Sequence, residues 1–100
     1  MAHLSLASVQ KIGFEAAREI IGENITDVEA DTGQDSSDQS AYFITFRLDR
    51  DHDRARVARL RTRITQKIRD KLLAEGDARY PIIRLLSDDE WKKHRNDRSS

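Results

Sequence analysis

One hundred residues make one domain with room for a single modest core, which excludes a multidomain machine. No cysteine is present, so disulfide scaffolds, zinc fingers, iron–sulfur sites and thiol nucleophiles are excluded together. Eighteen Lys and Arg balance eighteen Asp and Glu, but the zero is made of two opposed blocks: residues 23–53 hold nine acids against two bases, and residues 54–71 hold eight bases against one acid. Segregation of this kind gives the folded domain a dipole and puts a cationic face within reach of anionic partners. The opening Met1-Ala2-His3-Leu4-Ser5 carries neither a basic nor an apolar leader stretch, and apolar runs of three or four residues fall far short of the ~20 that cross a bilayer. A cytosolic domain without a membrane segment is expected.

In chain order, Ser5 or Ser8 is placed to cap a first helix that runs to about Ile21. Leu6, Val9, Ile12, Gly13, Ala16, Ala17, Ile20 and Ile21 recur there at three- and four-residue spacings, and Gly22 supplies the left-handed residue that stops it. Ile25–Asp31 alternates weakly, Val28 and Ala30 against Asp27, Glu29 and Asp31, as a short edge strand does. Thr32–Ser40 is polar or small throughout and predicts a flexible hairpin connection over 32–40. Tyr42, Ile44, Phe46 and Leu48 then alternate with Phe43, Thr45 and Arg47 in the clearest strand of the chain.

Asp49, Asp51 and Asp53 precede a long helix over about Arg54–Ala74, whose stripe is Val57, Leu60, Ile64, Ile68 and Leu72. Gly76 ends it. Tyr80–Leu86 is a third strand with Pro81 near its start, where a missing N–H is tolerated. Ser87 or Asp88 can cap a last short helix carrying Trp91, with residues 96–100 fraying. The order helix, strand, strand, helix, strand, with a terminal helix appended, predicts a single α+β domain over 1–100. Its architecture is a two-layer sandwich, a three-stranded sheet with the two main helices on one face. The long helix makes a right-handed crossover if the strands it joins are parallel, and strand order stays open.

Site chemistry is sparse. Asp49-Arg50-Asp51-His52-Asp53 opens like a calcium loop, but Arg54 and Leu60 stand where that loop needs its turn glycine and its closing glutamate. Carboxylates before a helix cap its first amides instead, and the same holds for Asp88-Asp89-Glu90. His3, His52 and His94 share no ligand spacing, and the four glycines form no phosphate loop. Neither a catalytic set, a metal site nor a cofactor is expected.

Two surfaces remain. Arg56, Arg59, Arg63 and Lys67 gather on one flank of the long helix, a ladder that repels itself unless salt, intramolecular acids or an anionic partner screens it. On the sheet, Phe43, Thr45 and Arg47 face away from the main helices. Either they form an interface, or the terminal helix folds back over them, and Trp91 is buried in both cases, by this chain or by another.

Around the end of the long helix the chain reads Ile68-Arg69-x-x-Leu72, then Arg79-x-Pro81-x-Ile83-Arg84-Leu85, with Asp88 shortly after. This stretch, residues 68–88, resembles the C-terminal segment of ribosome-binding factor A, in which an Ile-Arg-x-x-Leu helix end leads into an Arg-x-x-Pro-x-Leu-Arg-Phe strand. The element order is similar to that family's type II KH fold. The Arg-to-Pro spacing is one residue shorter here, and no GxxG clamp is present. The resemblance implies RNA or ribosome binding, with Arg69, Arg79 and Arg84 as the matched cations; Arg59, Arg63 and Lys67 join them on electrostatic grounds. The residues read without it point first to a non-enzymatic module that engages a protein partner or a second copy of itself. It would do so through the outer sheet face (Phe43, Arg47, Trp91) or the basic helix flank, with the KH-like RNA-binding domain as the alternative.

Overall fold

The structure, a computed structural model, describes residues 4–22, 25–48 and 54–99, and their side chains except those of 54–57 and 97–99. His3 and the Asp49–Asp53 cluster lie outside the described residues, as do the side chains of Arg56 and Val57. Six elements follow in order: α1 (Leu6–Ile21), β1 (Ile25–Gln34), β2 (Ser40–Leu48), α2 (Arg54–Ala74), β3 (Tyr80–Leu86) and α3 (Asp88–Ser99). The sheet order is β1-β2-β3, with β1 antiparallel and β3 parallel to the central β2. A parallel pair needs a long connection, and α2 supplies it.

Helix α1 starts where Ser5 Oγ accepts the Ser8 amide at 3.2 Å, and it stops at Gly22, whose φ of 100° suits a residue without Cβ. Its buried face is Val9, Gly13, Ala16 and Ala17, small residues that bring the helix close to the sheet. A Cβ on Gly13 would lie 3.2 Å from Ile44 Cγ2 and 3.4 Å from Phe46 Cζ, so at this position the sheet side chains fill the place of a side chain. Helix α2 adds Ile64, Ile68 and Leu72, and these meet Tyr42, Ile44 and Phe46 in one core between the two helices and the sheet. Each fully buried aliphatic side chain contributes roughly 1.5–3 kcal/mol.

The hairpin is more ordered than its composition suggests. β1 continues to Gln34 and β2 begins at Ser40, so the expected 32–40 loop shrinks to residues 35–39. Two local devices close it. Asp35 Oδ1 accepts the amides of Ser37 and Gln39 at 2.8 and 3.0 Å, and Asp38 takes a positive φ of 60°. Gly33, with no side chain, leaves its place to the Phe43 ring, which would stand 2.7 Å from an added Cβ.

The outer face of the sheet carries α3. Ser87 and Glu90 form a reciprocal capping box: the Ser87 amide donates to Glu90 Oε1 at 3.1 Å, and the Glu90 amide to Ser87 Oγ at 3.3 Å. The helix is assigned through Ser99, past Asn96, where fraying is expected from the sequence. Trp91, its one large apolar residue, is 3% exposed. Asp88 pairs with Arg47 on β2 at 2.9 Å, and His94 Nε2 stands 3.5 Å from Glu29 on β1. Of the two alternatives for the outer face, the fold-back of the terminal helix is the one adopted.

The Ile68→Ala substitution removes a fully buried side chain of the core cluster, and it should lower unfolding free energy by about 2–5 kcal/mol. Leu73→Ala, at an exposed position of the same helix, should change it by no more than about 0.5 kcal/mol. Urea titrations followed by far-UV circular dichroism measure both.

Candidate functional site

The cations of the expected binding surface do not share one face. Lys67 forms an ion pair with Glu19 of α1, so the flank it shares with Arg63 and Arg59, four and eight residues earlier, is turned toward α1. Arg59 and Arg63 are exposed there. Arg69 lies on the opposite flank, its guanidinium carbon 5.3 Å from the centre of the Tyr80 ring. Arg84 is exposed on β3 at the register position of Thr45, on the sheet face away from α2.

Arg79 is committed to the interior. Asp77, only 2% exposed, sits in the connection between α2 and β3. Its carboxylate accepts the hydroxyl of Tyr42 at 2.5 Å, the backbone amide of Arg79 at 3.0 Å, and the Arg79 guanidinium at 3.4 Å to each oxygen. The same guanidinium stacks 4.2 Å over the Tyr42 ring. A cation held by a buried carboxylate and a buried ring fastens the turn into β3, which is the contact the structure gives Arg79. Trp91 is buried by its own chain, one of the two alternatives expected for it. Arg47 is tied to Asp88 and bonds Thr26 Oγ1 through Nε at 3.1 Å, and Phe43 is half-buried over Gly33.

Burial pushes the Asp77 carboxyl up, but the Tyr42 hydroxyl, the Arg79 amide and the Arg79 guanidinium outweigh it and hold the group below the ordinary carboxylate range. Burial first, and then the hydrogen bond to Asp77, push the Tyr42 phenol up to about 12.

A groove of about 290 Å³ separates the middle of α2 from the free edge of β3, between Arg61, Thr62 and Thr65 on one wall and Tyr80–Ile83 on the other. Arg61, Thr65 and Arg69 recur every fourth residue, one position after Leu60, Ile64 and Ile68 of the core stripe. They form a ridge along the groove that spans about 12 Å. None of the lining residues is acidic. The Thr65 hydroxyl donates to the Arg61 carbonyl at 2.9 Å, which leaves only its lone pairs for a bound group. Tyr80 is 45% exposed, and Pro81 and Ile83 are buried beneath it. Pro81 has no N–H to offer, which blunts this edge against strand addition.

Arg61, Thr62, Thr65 and Tyr80 were not among the residues singled out by the sequence. The signal that could have found them is the four-residue repeat flanking the core stripe on the side that a crossover helix turns to its next strand. Among the described residues no group of three or more His, Cys, Asp or Glu is placed to hold a metal, and no helix is long and apolar enough to cross a membrane. No protein-family model, curated protein or solved structure matches the chain.

The network around Asp77 sets two pH limits. Asp77's contribution is complete above the ordinary carboxyl range and is lost as pH falls through its lowered folded value. Tyr42's is complete below pH 10 and is lost as pH rises from 10 to about 12. Tyr42→Phe should cost about 1–3 kcal/mol at neutral pH, because it leaves a buried carboxylate short of a donor. The difference between variant and parent, measured by denaturant unfolding, should stay level to pH 9 and shrink between pH 10 and 12.

Proposed function

We propose that the chain is a small non-enzymatic RNA-binding module that holds a single strand along the α2–β3 groove. The observation that carries this reading is the composition of that groove: one exposed guanidinium, Arg61, two hydroxyls and an exposed aromatic ring over an apolar floor, with a second guanidinium, Arg69, over that ring and no carboxylate among the described lining residues. Phosphates meet cations, bases meet rings, and single-strand sites combine both. The KH-like element order and the matched Arg69 support the same reading, whereas Arg84 lies on the other face of the sheet. The protein-interface reading keeps less ground, because α3 occupies the outer face and Lys67 on the basic flank has an intramolecular acid.

A fluorescein-labelled single-stranded oligoribonucleotide should bind with an affinity that falls with salt, with a log–log slope of about −2 if three phosphates are contacted. Arg61→Glu with Arg69→Glu should abolish binding at moderate salt, whereas Arg59→Glu with Arg63→Glu on the α1 flank should weaken it only modestly. Fluorescence anisotropy across a salt series decides this. Absence of binding at low salt, or equal losses in the two double variants, would remove the groove from consideration.

A further inference from the structure

We infer that Tyr80 and Arg69 form a stacking subsite for one unpaired base, so that the groove selects single-stranded over duplex RNA. The inference rests on the reading of the groove as an RNA site and specifies which nucleic acid it takes. Arg69 approaches the Tyr80 ring to 5.3 Å, while nearly half of Tyr80 remains open to solvent. A ring that served only to close the corner between α2 and β3 would be covered, as Tyr42 is one strand away, with its hydroxyl on Asp77 and Arg79 over its face. Tyr80 has a guanidinium over its ring and the rest of the side chain open to solvent.

The backbone that carries the ring is also held in place. Residue 79 is anchored through its amide and guanidinium to buried Asp77, and residue 81 is a buried proline, so the backbone on both sides of Tyr80 is fixed. A preorganised aromatic platform loses little freedom when a base settles on it. Arg61, about two helical turns before Arg69, is then set to meet a phosphate further along the strand while Arg69 covers the base edge. A base inside a duplex has both faces occupied by its neighbours and cannot use the platform.

The experiment compares fluorescein-labelled oligoadenylate with a blunt RNA duplex of equal length by anisotropy, using the full chain. The single strand should bind more tightly. Tyr80→Leu, which keeps apolar bulk but removes the π-face, should lose roughly ten- to a hundredfold in single-strand affinity. Its salt slope should match the parent's, because the phosphate contacts remain. Tyr80→Phe should retain the parent affinity, and the urea midpoint of the leucine variant should stay at the parent's, which separates stacking from a structural role. Leucine and parent binding oligoadenylate alike, or the duplex binding as tightly as the single strand, would overturn the subsite while leaving the RNA reading intact. No binding of either RNA at low salt would overturn both.

Discussion

Parallel strands cannot be joined by a tight turn; the chain must leave the sheet, cross it as α2 and return in register. In this domain the point of return is pinned by Asp77, whose carboxylate receives the hydroxyl of Tyr42 from the central strand and both the amide and the guanidinium of Arg79 from the segment that becomes β3. A buried carboxylate is tolerable because every contact named here is a donor. The network joins the middle of the core to the residue that precedes the third strand. The position of Tyr80, and with it one wall of the groove, follows from that junction rather than from apolar packing alone.

The opposed charge blocks of the sequence become a spatial arrangement. The acids of β1 and the hairpin lie on the antiparallel side of the sheet, and the bases of α2 are divided by the helix's own geometry into two flanks about half a turn apart. One flank is partly neutralised within the chain, since Lys67 reaches Glu19. The other is laid against a strand edge with apolar and aromatic neighbours, where a guanidinium keeps its charge and gains a surface to lie on.

Much of the architecture could be read before any coordinates. Val9, Ala16, Ile64, Ile68 and Leu72 sit inward because their spacing left no other choice, and Tyr42, Ile44 and Phe46 do the same with a period of two. The hairpin was misjudged over 32–40, since polarity says little about pairing when one aspartate can accept two turn amides and a glycine can shelter a neighbouring ring. The site was less readable still. Counting cations located α2 but could not show that Arg79 would turn inward, because nothing local marks Asp77 as buried. Arg61 was passed over because it borders the apolar stripe, and that border is what brings it to the groove.

The C-terminal helix adds a property of its own. Its contacts with the sheet include the Trp91 indole, the Asp88–Arg47 pair and His94 near Glu29, on a segment otherwise made of charged and polar residues. Helices with few apolar anchors open at lower free energy than a well-packed core. In α3 a lone large apolar side chain, Trp91, sits among charged neighbours, and beneath the helix Thr45 and Leu86 of the outer face stay dry.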